Sequence, residues 1–244
     1  MHWFAQAFFP VAASLRAAAL AAGCAAVLAA TPSGPAQAAT ETRSVADFDE
    51  VVSTVPGEFS VEQGPRESLT LEAEPAVLRK ITAEVHGRRL VIGIDGKVET
   101  EQPIRMKLGV KTLRAFESRT INTTRIGPLR SEALALVLAG GGSIRVERLE
   151  NAQSLDVRIT GSGDVAVGGG QVTAQQLDIA GIGSYSAPRL ASERATVAID
   201  GNGKAQLAAS NTLAVRIGGI GHVRYHGDPA VTRSIRGIGS VDKD

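Results

Sequence analysis

Between Leu155 and Val167 apolar side chains fall at every second position: Leu155, Val157 and Ile159, then Val165 and Val167. The two runs are joined by Gly161-Ser162-Gly163. Strict alternation marks a strand with one buried face. Two glycines one residue apart mark a tight reversal, expected to need positive φ at Gly161 and its equivalents. The unit is therefore strand, glycine corner, strand. It recurs at Gly140-Gly141-Gly142, Gly181-Ile182-Gly183, Gly201-Asn202-Gly203, Gly219-Ile220-Gly221 and Gly237-Ile238-Gly239, each flanked by alternating aliphatics. The first glycines, at 140, 161, 181, 201, 219 and 237, are 21, 20, 20, 18 and 18 residues apart, a period in the solenoid range. One repeat offers about five inward side chains, each contributing roughly 1.5–3 kcal/mol when buried. Ordering its residues costs roughly 1–2 kcal/mol apiece in backbone entropy. A single repeat cannot fold alone, so the units must stack into a continuous core. Val157, Ile179, Val197 and Val215 are expected to pile in one column.

Upstream the β pattern is less regular. Alternating runs occur at Phe59/Val61, Leu69/Leu71, Leu90/Ile92/Ile94 and Ile104/Met106/Leu108/Val110, punctuated by Gly57, Gly64-Pro65, Asp95-Gly96 and Pro103. Pro75 to Ile81 suits a short helix over the open end of the stack, since a bare terminal coil would expose apolar surface and unpaired edges. One degenerate coil is expected between Leu113 and Ile126, with Glu117-Ser118-Arg119 in place of a glycine corner. Gly168-Gly169-Gly170 has no following lysine and reads as a flexible loop between coils. At the other end Asp242-Lys243-Asp244 would discourage end-to-end strand addition.

Residues 1–38 hold no acid and a single Lys or Arg, Arg16, with an alanine-rich run from Ala17 to Ala30 and a small-x-small Ala36-Gln37-Ala38. This is the pattern of a cleaved export signal, and the run is short for a membrane span. Ala21-Ala22-Gly23-Cys24 approaches a lipidation motif but lacks the usual leucine, so Cys24 is taken as a small apolar residue of the signal core. The domain division is then 1–38 signal and 39–244 one domain, irregular over 44–113 and regular over 114–244. The mature chain would carry no cysteine, hence no disulfide and no thiolate metal site. With 26 Lys and Arg against 25 Asp and Glu in the whole sequence, mixed along its length, there is no footprint for nucleic acid.

Asp47-Phe48-Asp49, the alternating strands after it and the repeated Gly-x-Gly corners resemble the head GIN domain family of autotransporter-type adhesins. Tyr225-His226-Gly227-Asp228-Pro229 and the final Gly237-Ile238-Gly239-Ser240-Val241 are similar to that family's closing segment. The resemblance spans roughly Arg43 to Asp244. It implies a right-handed parallel β-helix, no catalytic residues and a role in adhesion. The family's Gly-Ser-Gly-Asp corner survives only at Gly161-Ser162-Gly163-Asp164; Ser143, Ser184, Lys204, His222 or Ser240 follows the other corners. No property resting on a row of aspartates transfers.

The residues offer four candidate sites. Calcium needs converging oxygens, and Asp164 has no acidic equivalent in neighbouring coils. Glycoside cleavage needs two facing carboxylates; Asp156, Asp164, Asp178 and Asp200 all point outward, and Asp156 with Asp178 could flank a groove, but solvated strand charges interleaved with Arg158 and Arg216 explain them as well. His222 and His226 lie four apart on a strand, too far for one metal without a bend at Gly227, and His86 is in the irregular half. No Gly-x-Ser-x-Gly elbow or phosphate-cradling loop is present. Finally, the corner middles Ile182, Ile220 and Ile238 alternate with Ser162 and Asn202. Exposed, they would form a contact ridge; the favoured expectation is that they tuck against the neighbouring coil.

The sequence thus predicts an exported all-β solenoid, a right-handed parallel β-helix-like stack with an irregular amino-terminal cap. No catalytic, cofactor-binding or metal residue is assigned. Its partner is an unspecified protein or glycan at a cell surface or envelope. A polysaccharide lyase on the same scaffold and a self-associating structural homo-oligomer are the alternatives.

Overall fold

The computed structural model describes residues 38–244 apart from residue 101. The proposed signal and Cys24 lie outside the described residues. In chain order the strands are β1 (Ala39–Arg43), β2 (Glu50–Ser53), β3 (Gly57–Gln63) and β4 (Ser68–Ala73), then the helix α1 (Pro75–Leu78). There follow β5 (Ile81–His86), β6 (Arg89–Ile94), β7 (Arg105–Val110), β8 (Ala115–Ser118), β9 (Ile121–Arg130), β10 (Ala133–Leu138) and the long, bent β11 (Gly141–Ile159). The regular repeats supply β12 (Ser162–Val167), β13 (Gly170–Ile179), β14 (Ile182–Ala187), β15 (Leu190–Ile199), β16 (Asn202–Ala208), β17 (Thr212–Ile217), β18 (Ile220–His226), β19 (Ala230–Ile235) and β20 (Ile238–Lys243).

From β8 onward each coil lays its strands parallel on the previous coil, forming two walls. One wall runs β8, β10, the second half of β11, β13, β15, β17, β19. The other runs β9, the first half of β11, β12, β14, β16, β18, β20. This is the solenoid the repeats required, with about six turns. Residues 128–130, 148–150, 170–172 and 190–192 add a short third side. Only the coils of the longer period have it.

Alternation becomes columns. Leu136, Val157, Leu177, Val197 and Val215 stack in register, and Leu138, Ile159, Ile179, Ile199 and Ile217 form the next column. All ten are buried. Ile179 therefore stands one column away from Val157, Val197 and Val215, because it lies two rather than four residues before its glycine corner.

The corner glycines correct a second expectation. Gly161, Gly181, Gly201, Gly219 and Gly237 do not have positive φ; positive values occur at Gly142 (φ 100°) and Gly163 (φ 152°), the last glycines of their corners, and at Gly170 (φ 121°). What demands glycine at the first position is proximity. A Cβ on Gly161 would collide with the Gly140 carbonyl oxygen and sit 2.5 Å from that of Ala139, where ordinary contact begins at 3.4 Å. The Gly168-Gly169-Gly170 segment is also packed: side chains at 168 or 170 would collide with the carbonyls of Glu147 and Leu149, so it is a stacked corner, not a free loop. The degenerate corner is shifted from its expected position. Ser118 occupies the inner Leu138 column, and Ile121-Asn122 stand where Gly141-Gly142 stand one coil later.

The amino-terminal cap is not stacked in sequence order. β2 and β3 lie parallel on β8 and β9, and β6 and β7 lie parallel on the far side of β2 and β3. Antiparallel β5 closes one wall beyond β6, and antiparallel β4 then β1 close the other beyond β7. α1 carries the buried Val77 and Leu78 over the end of the core, as expected of this segment. Among the described residues nothing comparable covers the last coil. β19 is exposed throughout, and the inner-column positions that hold Val215 and Tyr225 in the preceding coil hold Arg233 and Lys243 in the last one.

Candidate functional site

Six strand registers place the corner middles in one line: Ile121, Gly141, Ser162, Ile182, Asn202, Ile220, Ile238. The line is exposed. Ile121 keeps 73%, Ile182 62%, Ile220 47% and Ile238 72% of its surface in solvent. Ile182, Ile220 and Ile238 do not tuck against neighbouring coils: the glycines on either side of each lie so close to the preceding coil that a side chain there would meet its backbone or a core isoleucine. The corner is thus pulled tight, and its middle residue can only point outward. Adjacent strands are about 4.8 Å apart, so the row is an apolar ridge about 29 Å long, broken by Ser162 and Asn202. Isolated surface isoleucines are unremarkable, but four in one line form an exposed apolar strip along one edge. Ile121 was not legible as a member of the row, since its corner has no glycine; the only signal was Asn122, two residues after Thr120, in a glycine-like register.

Next to the ridge, one outward position further along each strand, runs Thr123, Ser143, Asp164, Ser184, Lys204, His222, Ser240. Ser184 donates to the Asp164 carboxylate of the coil before it. Ser240 donates to Asp242 (2.6 Å), and His222 Nδ1 lies 3.2 Å from the same serine Oγ. The serine proton thus goes to the carboxylate. Histidine does not stand between the two, as it must when it takes a nucleophile's proton. Lys204 forms no ion pair among the described residues.

The other candidates remain apart. Asp156 pairs in register with Gln176, while Asp178 lies beside Arg158, so the two carboxylates do not face each other. Asp200 is held by a two-point bridge to Arg216, at 3.0 and 2.6 Å. His226 approaches Asp244 (3.5 Å) and His86 approaches Glu84 (3.1 Å), each away from His222. Among the described residues no group of three His, Cys, Asp or Glu could hold a metal ion.

The aspartate motif near the amino end is structural. Asp49, buried, takes the Arg88 guanidinium (2.6 Å), and its backbone oxygen accepts the Arg114 N–H (2.7 Å). The Glu67 carboxylate accepts from Lys111 (2.7 Å) and from the Phe48 N–H (3.3 Å), and the lysine beside it holds its pKa below the usual carboxylate value. Inside the core, Tyr185 Oη donates to Gln175 Oε1 (2.9 Å), and Gln175 Nε2 donates to Ser192 Oγ and the Ala208 carbonyl. Burial pushes the Tyr185 phenol well up. Near the cap, Asn122 Nδ2 donates to Ser118 Oγ (3.0 Å), while Asn122 Oδ1 and Thr124 Oγ1 have no protein partner.

Residues 47–229 match the profile of the family described as "Putative auto-transporter adhesin, head GIN domain". The chain belongs to the head GIN domain family. Several crystal structures have a similar fold. One from Bacteroides fragilis, described as a putative adhesin, is 19% identical with a TM-score of 0.79, over 85% of this chain and 97% of its own. A putative adhesin from Parabacteroides distasonis is 25% identical with a TM-score of 0.65, over 86% and 98%. A third, from the same organism and described as a putative lipid binding protein, is 18% identical with a TM-score of 0.63, over 86% and 98%. No curated protein matches the chain. Among the described residues no helix is long and apolar enough to cross a membrane.

Proposed function

We propose that this head GIN chain is an exported, non-catalytic binding module that acts in cell-surface adhesion through the ridge of its corners. The reading rests above all on one observation: four isoleucines stand exposed in register on a frame whose every coil is hydrogen-bonded to the next. The description of the family and of its solved relatives supports the same direction. The signal-like residues 1–38 supply a route out of the cytoplasm. A lyase has less support, because Asp156 and Asp178 are offset along their walls. The module works by rigidity. Its ridge is organised before contact, so binding loses little conformational entropy.

The test is adhesion of beads coated with the chain to bacterial surfaces and to extracellular-matrix proteins. A variant with Ile182→Ser, Ile220→Ser and Ile238→Ser should lose adhesion while keeping its far-UV spectrum and melting temperature. Equal adhesion by parent and variant would remove the ridge from the proposal, and no adhesion by the parent would remove the function.

A further inference from the structure

The ridge can be read in both directions. From the amino end it runs Ile121, Gly141, Ser162, Ile182, Asn202, Ile220, Ile238. Reversed and laid on itself about Ile182, it matches Ile121 with Ile238, the bare Gly141 with Ile220, Ser162 with Asn202, and Ile182 with itself. Apolar meets apolar, a side chain meets a gap, and the two polar breaks meet each other. A two-fold interface requires this self-complementarity, because the same patch must serve both partners.

A two-fold axis lying in the contact plane and perpendicular to the ridge brings a second, independent row into opposition. The flanking column then faces its own reverse: Thr123 with Ser240, Ser143 with His222, Asp164 with Lys204, Ser184 with Ser184. The acid and the base of this column fall opposite each other, twice per pair of molecules. Both residues are exposed, and Lys204 forms no ion pair among the described residues. On the other side of the ridge Thr160 would meet Asp200. Arg119 would meet Arg236 at the rim, where Arg119 is already held by Glu117 (2.6 Å). The parallel arrangement, with the axis along the ridge, would instead set Lys204 against Asp200, a carboxylate already held by Arg216 at 3.0 and 2.6 Å. We infer that the ridge binds a second copy of this chain, antiparallel, about a two-fold axis through Ile182.

This deepens the proposed function and rests on it. Antiparallel coils put the amino ends at opposite ends of the dimer, so molecules carried by two facing surfaces would meet side by side. A strip about 29 Å long by three strand positions wide buries roughly 900 Å² in total, at the low end for specific contacts. The contact is weak singly and gains strength from many copies.

The experiment is sedimentation equilibrium on the full chain, recovered after export with its own leader, together with its Asp164→Lys and Lys204→Glu variants. The parent should show a monomer–dimer equilibrium. Each single variant sets like charges opposite each other twice and should weaken association by about tenfold or more. An equimolar mixture of the two variants restores both oppositions and should form heterodimers with close to the parental constant. A monomeric parent, variants that associate like the parent, or a mixture that stays monomeric would each overturn the inference. Beads distinguish this from failure of the adhesion reading. If the parent is monomeric yet coated beads still adhere to surfaces lacking the chain, only the homophilic partner is lost; if they adhere to nothing, both are.

Discussion

Replacing Gly161 with alanine tests why the corners are glycine. An added Cβ would collide with the Gly140 carbonyl oxygen, which accepts the Ser162 N–H at 2.9 Å, and would lie 2.5 Å from the Ala139 oxygen. Relief requires the two coils to part there. That breaks or stretches the Ser162 bond and the Gly161 N–H bond to Leu138 (3.1 Å). Each is worth about 1 kcal/mol net, and overpacking strain adds about 1–3 kcal/mol. The expected loss is about 3–5 kcal/mol, a large share of a typical stability of about 5–15 kcal/mol. A left-handed backbone would instead cost about 1–2 kcal/mol for alanine and less for asparagine, which tolerates that conformation. Here asparagine should be as damaging as alanine. Gly141→Ala is the control, since its Cβ would meet nothing closer than Ile121 Cγ1 at 3.4 Å; it should stay within about 0.5 kcal/mol of the parent. Urea unfolding followed by circular dichroism, with unchanged slope, reads all four proteins. A loss below 1 kcal/mol for Gly161→Ala, or a clear advantage of asparagine over alanine, would refute the steric account.

Four further outcomes are expected elsewhere in the fold. Tyr185→Phe leaves the buried Gln175 Oε1 without its donor and should cost about 1–3 kcal/mol in urea unfolding. In the parent the Tyr185 phenol, raised by burial, should ionise only as the fold opens; the stability it contributes is present below the unfolded phenol value and is lost as pH rises, measured by ultraviolet titration beside circular dichroism. The Glu67 carboxylate has the opposite sign: its folded value is depressed by Lys111, so its contribution is present above the unfolded carboxylate value and is lost as pH falls through the folded one. Glu67→Gln should flatten that part of the acid unfolding profile. Finally, Ile199→Ala in a middle coil should cost about 2–5 kcal/mol, while Ile235→Ala, 40% exposed in the last coil, should cost under about 1 kcal/mol by thermal melting.

The repetitive half was legible because one physical period ran through it. Alternation assigned the faces, and the glycine spacing set the coil length and register. Ile179 sits one column off because it stands two residues before Gly181, and Leu177, four before it, holds the place beside Val157 and Val197. The cap was legible as strands but not as an arrangement. Leu69 and Leu71 alternate as well in an antiparallel strand as in a parallel one, and nothing local to Val51 or Phe59 reveals that Leu90 and Met106 will stack on their far side. The ridge was legible as a row but not in its exposure. That depended on how closely backbones approach at Gly161 and Gly201, a property of the stacked state that no single coil carries.

The stacking order of the cap also sets a timetable. Val197 finds its neighbours Leu177 and Val215 one coil away on either side, whereas Glu50 must wait for both Arg89 and Ala115. Longer closures are slower. A nascent chain therefore exhibits β2 and β3 to its surroundings throughout the synthesis of more than sixty further residues, and the strands born first are enclosed only when β6 to β9 arrive on both sides of them.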